Sequence, residues 1–466
     1  MIPKPCLIRS VSMGRKSSYE MDMCSGAILP KLLQFALPLM LSSILQLLFN
    51  AADIVIVGRF AGDNSLAAVG STTSLINLLV NFFIGLSIGA NILTARFYGA
   101  NDYERLHQTV HTSMLLSLIS GIFLAIVGFF FSGTLLVWMQ SPASVRDLAS
   151  LYLRIYFLGM PATLIYNFGA ALLRAAGDTR RPLYYLFLAG ILNVVLNLIL
   201  VIVFHMDVAG VAIATVFSQC VSAFLVVRCL LHETGGVHLV PDHLRIWPER
   251  LKDILQVGLP AGLQSVLFSL SNVVIQSSIN SFGEVVVAGS AAAANIEGFV
   301  YVAMNSFYQA NISFTSQNLG AGRYDRIRPI LLRSMCCVTI IGLFISLSAV
   351  FLGPQLLGIY SDNPAVITAG MGRLSIVCQF YVLCGMMEVM VGSLRGIGYS
   401  VLPMLVSLIG ACGLRLVWIA TVFQIPAYHS IETVYWSYPI TWLITTCAHA
   451  LCFLIAMKHL KKKLPE

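Results

Sequence analysis

A chain of 466 residues that is 58% hydrophobic and only 10% charged, with a mean hydropathy of +0.85, carries too few ionic groups for a water-soluble surface, where about 25% charge is usual. Length alone would suit roughly three soluble domains, but apolar runs of about 20 residues recur throughout, and each suits a membrane-spanning helix. The net charge of +8 reads as membrane topology and attraction to anionic lipid headgroups, and not as a nucleic-acid signal.

Residues 1–28 are a basic tail with no apolar core and no small-residue cleavage site, so they are not a signal peptide. Met21 lies much closer to the first span than Met1 does and is a candidate start. Twelve spans follow, at 29–58, 65–95, 109–138, 148–173, 183–205, 208–231, 252–281, 285–316, 329–358, 366–394, 400–424 and 434–457. Each must be helical, because lipid offers no partner to a free backbone amide. A polar segment at 232–250, with Gly235-Gly236, Pro241 and Pro248, links the two sets of six, 29–231 and 251–457, and 458–466 is a second basic tail. Of the 28 Lys and Arg residues, 23 fall on the side of the two tails and the linker. The positive-inside rule makes that side cytoplasmic, with the protein in the plasma (inner) membrane.

The two halves repeat each other. Gly99-Ala100-Asn101-Asp102-Tyr103-Glu104-Arg105 returns 221 residues later as Gly320-Ala321-Gly322-Arg323-Tyr324-Asp325-Arg326. Arg174 to Gly177 with Pro182 returns as Arg395 to Gly398 with Pro403, and Leu37-Pro38 with Asn50 returns as Leu259-Pro260 with Asn272. Six spans per half insert in the same orientation, so the halves are expected to be related by a pseudo-twofold axis along the membrane normal. Such duplication is usual in secondary transporters.

Polar residues inside the spans carry the functional signal. The first span has Ser43, Gln46, Asn50 and Asp53 on one face, and its repeat partner, the seventh, has Ser265, Ser269, Asn272 and Gln276. These matching stripes predict two bundles facing a wet substrate cavity, walled further by Phe82, Met304 and Tyr308. Asp53 is the sharpest residue, since an intramembrane carboxylate costs about 2.5–3.5 kcal/mol and is usually functional. Asn193 and Asn197 in the fifth span and Thr215 in the sixth would add oxygen partners for a small cation or a proton. Glu297 and Glu388 are further intramembrane acids, placed in the substrate cavity, with Arg415 a candidate neutralising partner. Arg154 and Arg373, near span ends, are expected to snorkel.

Other chemistry is poorly supported. Most of the 11 cysteines lie in apolar spans without a C-x-x-C pair, so they read as small hydrophobes. His107 and His111 lack a third ligand, and there is no P-loop. Gly85-Leu86-Ser87-Ile88-Gly89 matches a nucleophile elbow, but inside a membrane helix it is a small-residue packing surface. No enzyme chemistry, no catalytic residue and no cofactor is expected.

The helix 1 run Leu37-Pro38 to Asn50-Ala51-Ala52-Asp53, the fourth-span exit Leu173-Arg174-Ala175-Ala176-Gly177-Asp178 and the run Gln317-Asn318-Leu319-Gly320-Ala321-Gly322 resemble the multidrug and toxic compound extrusion (MATE) transporters over about residues 24–457. The resemblance implies an all-α membrane protein of two six-helix lobes in a V. It implies antiport of organic, cationic drugs or toxic compounds against H+ or Na+, by what we expect to be a monomer. The family's first-lobe cation site matches at Asp53, Asn193 and Thr215, so a sodium ion at Asp53 is the only metal expected. Asn197 stands where many members have a second acid, which leaves proton coupling at least as plausible as sodium. The second-lobe acids of one branch align with Phe268 and near Cys384, so that site does not transfer. The alternative is a flippase for a lipid-linked oligosaccharide or cell-wall precursor, which would need a larger basic cavity.

Overall fold

The computed structural model describes residues 19–139 and 141–462, and the regular elements among them are all helices. Among the described residues, eleven helices are long and apolar enough to cross a membrane, and the pair Ala143–Leu158 and Met160–Ala175, bent by 47°, read as one broken span, makes twelve. We label the first lobe α1 (Ile28–Phe60), α2 (Asp63–Gly99), α3 (Tyr103–Trp138), α4 (the bent pair), α5 (Arg180–Val203) and α6 (Asp207–His232). The second lobe is α7 (Pro248–Asn280), α8 (Glu284–Gly320), α9 (Tyr324–Phe351), α10 (Pro364–Gly396), α11 (Val401–Gln424) and α12 (Ile431–Lys462). Several helices outrun the apolar stretches. Hydropathy senses only the part that crosses lipid, whereas α2 keeps its hydrogen bonds to Gly99 and α8 to Gly320. The bend in α4 falls at Gly159, and Pro161 just beyond it has no amide to donate across the break.

The sequence repeat is also a backbone repeat. α1 and α7 are 33 residues each, and α2 and α8 are 37 each. Gly62 (φ 83°) recurs as Gly283 (φ 91°), and Gly177 (φ 97°) as Gly398 (φ 103°). Such left-handed turns favour glycine because it has no Cβ to clash. Both α5 and α11 widen into a π-helical turn, at Leu198–Val203 and Leu408–Gly413.

The lobes meet closely at the end that carries the linker. A Cβ on Gly85 would lie 2.5 Å from Gly262, and one on Gly258 would lie 2.7 Å from the Leu86 carbonyl, so α2 and α7 approach backbone to backbone. Gly99 packs in the same way on Gln317, and Gly320 on the Arg96 carbonyl. The small-residue reading of Gly85 and Gly89 therefore has a partner, the Gly258/Gly262 pair of the other lobe. Gln317 donates to the Ala175 carbonyl at 2.7 Å and Ser313 to Asn91 at 3.2 Å, so polar bonds also cross the seam. Replacing Gly320 with leucine is expected to force this seam apart and lower the thermal unfolding midpoint in detergent. Gly298→Ala, with nothing near the added carbon, is expected to leave that midpoint unchanged.

Both polar connections are more ordered than their composition suggests. Of the basic tail 1–28, residues 1–18 lie outside the described residues, and residues 19–27 dock on both lobes. Met23 is fully buried and its carbonyl accepts from Asn318, while Glu20 accepts from Tyr98. The 232–250 linker lies on α3. Val237 and Leu239 are buried, and the Val240 amide donates to His111 at 2.9 Å. His111 is thus a structural anchor, and among the described residues no group of three His, Cys, Asp or Glu could hold a metal.

Candidate functional site

Asp53, Asn193, Asn197 and Thr215 come together although three helices carry them. Asn197 sits at the last α-helical position of α5, directly before the π turn, and its amide donates to the Asp53 carboxylate. π turns of this kind are frequent at functional sites. Asn197 also donates to the Asn193 side-chain oxygen at 3.3 Å, and Asn193 donates to the Thr215 hydroxyl at 3.3 Å. The Thr215 hydroxyl in turn donates to the Val211 carbonyl at 2.9 Å. Asn193 and Asn197 are buried, with Asp53 half-buried beside them. The Asn197 side-chain oxygen is buried without a partner. One carboxylate with four neutral oxygens is a donor set for a hard monovalent cation, or for a proton on Asp53 itself. Tyr152 and Tyr156 of α4, stacked at 6.0 Å, stand within electrostatic reach of Asp53. Sequence reasoning missed them. Their i, i+4 spacing in a span was the available signal.

The second-lobe acids have different surroundings. Glu297 of α8 accepts from Arg373 of α10 through both carboxylate oxygens, at 2.9 Å each, and Arg373 also donates to Ser290 at 2.9 Å. Arg373 is 8% exposed. It therefore does not snorkel; it neutralises Glu297 in the interior, and Glu297 does not line an open cavity. Arg415 pairs with neither acid. Its guanidinium lies 4.0 Å over the Tyr438 ring and donates to Thr441. Arg154, also expected to snorkel, donates to Ser132 at 3.3 Å. Glu388 is half-buried on α10, in electrostatic reach of Arg395, Tyr301 and Tyr308.

The cleft follows from the seam. On α2 the face that carries Gly89 and Gly85 continues away from the linker end as Asn81, Asn77 and Ser74, all exposed. On α7 the face of Gly258 and Gly262 continues as Ser265, Ser269, Asn272 and Gln276, of which the last two are exposed. Faces that touch at one end and expose amides at the other have diverged. The structure places Asn272 and Gln276 on this open part, with Gln46 and Asn50 of α1 also exposed. Asn77 and Asn81 were missed by sequence reasoning, although their spacing matches the α1 stripe. Two of the three proposed wall residues are buried instead. Met304 is buried beside Gly342 and Gly385, because two missing side chains make room for its thioether within the second lobe. Tyr308 is buried because its hydroxyl accepts from Arg395. Phe82 is half-buried where α2 packs on Gly262.

A family model described as MatE matches residues 38–199 and again residues 260–421. The chain belongs to the MatE family. It is accordingly a membrane transporter of two homologous lobes, and each MatE match begins at the in-helix proline of α1 or α7, Pro38 or Pro260. The chain is 28% identical over 406 residues to the probable multidrug resistance protein YoeA of Bacillus subtilis, covering 85% of this chain and 87% of that one. It is 25% identical over 345 residues to an FAD transporter of Shewanella oneidensis, covering 72% and 75%. Its fold matches the outward-facing conformation of a multidrug resistance MATE family transporter of the MOP superfamily, with a TM-score of 0.89 at 24% identity over 96% of this chain and 100% of that one.

Proposed function

We propose that this MatE protein is an antiporter of the plasma membrane that exports organic cations in exchange for H+ or Na+. The observation that carries the reading is Asp53, a carboxylate in an oxygen cluster inside the first lobe, alongside exposed polar residues on α2 and α7 that are neutral. In this reading the basic end faces the cytoplasm, where 23 of 28 Lys and Arg residues fall. The seam then closes the cytoplasmic side and the cleft opens outward, in a monomer with both termini inside. Coupling requires that the Asp53 cluster bind its ion more tightly in one access state than in the other. The names of relatives such as YoeA support drug export.

The FAD transporter relative marks a second substrate class, an anionic dinucleotide, and a lipid-linked precursor would be a third. Either would need cationic groups on the cleft, whereas Ser74, Asn77, Asn81, Asn272 and Gln276 offer none. Expression in a pump-deficient bacterium is expected to lower accumulation of a fluorescent organic cation and raise resistance to it severalfold. Unchanged accumulation, together with rescue of a strain that accumulates lipid-linked precursors, would replace export by flipping.

A further inference from the structure

A cavity of about 1260 Å³ lies at the basic end, away from both the Asp53 cluster and the cleft. It is framed by the end of α2, the start of α7 and the loop between α10 and α11. Arg96, Arg105, Arg250 and Lys252 line it against a single acid, Asp253, and that acid is already paired with Arg250 at 3.0 Å. Arg250 is also paired with Glu249 at 3.0 Å and Arg105 with Asp102 at 3.4 Å, but other polar atoms at the head lack partners. The Nε and Nη2 atoms of Arg96, the Nε of Arg250 and the Ser400 hydroxyl are buried and accept or donate no hydrogen bond. A buried donor without an acceptor costs free energy that a ligand oxygen would recover. Arg96 Nη2 lies over Gly398, where an added Cβ would come within 3.1 Å, so the loop leaves its guanidinium room.

Below this head the wall becomes apolar. Leu259, Val401 and Leu402 line the cavity while being 38%, 51% and 37% exposed on the outer surface. In a protein that sits in a bilayer, such residues face acyl chains. A cationic head with spare donors above a lipid-facing groove fits one class of molecule.

We propose that this groove binds an anionic phospholipid, its phosphate on Arg96 and Ser400 and its chains along Leu259, Val401 and Leu402. Arg96 and Arg105 belong to the first lobe, and α7 and the 398–402 loop to the second. The lipid therefore bridges the seam and favours the arrangement in which the basic end is closed, since separating the lobes would split its site. This holds whichever substrate the cleft takes.

The test is native mass spectrometry of the detergent-purified protein titrated with dioleoylphosphatidylglycerol, dioleoylphosphatidylcholine or glycerol phosphate. One copy of the phosphatidylglycerol should be retained, with Arg96→Gln weakening it about tenfold, the scale of one charge-assisted hydrogen bond. The phosphatidylcholine should bind markedly more weakly, and glycerol phosphate should not be retained, because it lacks the chains. Arg105 is exposed at the rim, its side chain 59% accessible, so Arg105→Gln serves if Arg96→Gln misfolds, with a severalfold loss expected. Unchanged phosphatidylglycerol binding by the folded variant, or equal retention of phosphatidylcholine, would overturn the site. Glycerol phosphate bound as tightly as the lipid would overturn the lipid assignment in favour of a free phosphate ester.

Discussion

Replacing Asp53 with asparagine is expected to abolish gradient-driven efflux while leaving the folded protein in the membrane. The substitution removes the charge and keeps the shape, and the new amide oxygen still accepts from Asn197, the donor that holds the carboxylate now. What is lost is the only group in the cluster able to take up or release a proton, or to neutralise a bound sodium ion. Without it the ion no longer distinguishes the two access states, and a gradient has nothing to act on. The measurement is uptake of a fluorescent organic cation by everted vesicles under an imposed proton or sodium gradient. The variant is expected at background under both, against normal protein levels. Equilibrium binding of the cation should survive, because the cleft residues are untouched. Full transport by Asp53→Asn under both gradients would move coupling elsewhere. Glu388 would then be the next candidate, since Glu297 is already neutralised by Arg373.

Removing one member of the Glu297–Arg373 pair is expected to be among the most destabilising single changes in the second lobe. The two groups are 5% and 8% exposed and joined by two bonds of 2.9 Å, with the rings of Tyr435 and Tyr438 beside the guanidinium at 5.8 and 5.7 Å. Taking away one partner leaves a buried charge uncompensated, at a cost of about 3–5 kcal/mol. Replacing both by apolar residues removes the desolvation penalty with the attraction, so Glu297→Leu with Arg373→Met should cost less than either change alone. Thermal unfolding of the purified single and double variants reads this out. Additive losses would show that the pair is not coupled. The double variant should also retain gradient-driven transport, and its inactivity in a folded state would assign Glu297 a role in coupling.

How much of this was legible in the sequence differs between the scaffold and the site. Hydropathy, the positions of lysine and arginine and the 221-residue repeat fix the spans and the duplicated architecture. Each is a one-dimensional property, set by the thickness of lipid or by the turn chemistry of residues such as Gly62 and Gly283. The Asp53 cluster was readable in part, because Asn193 and Asn197 share a helix face by spacing alone. Contacts between helices were not. Whether Arg373 snorkels or meets Glu297 depends on how α10 packs on α8, and periodicity within either helix carries no trace of that. Met304 and Tyr308 have the composition of a binding wall, yet Gly342, Gly385 and Arg395 from other helices draw them into the core. The divergence of α2 from α7 beyond Gly85 and Gly262 likewise belongs to the packed lobes, because burial and pairing in lipid are decided by which helix faces meet. The sequence by itself determined which groups the membrane holds; the tertiary structure decided which charges were paired, as in Glu297 and Arg373, and which amides stayed exposed, because both depend on which helix faces meet.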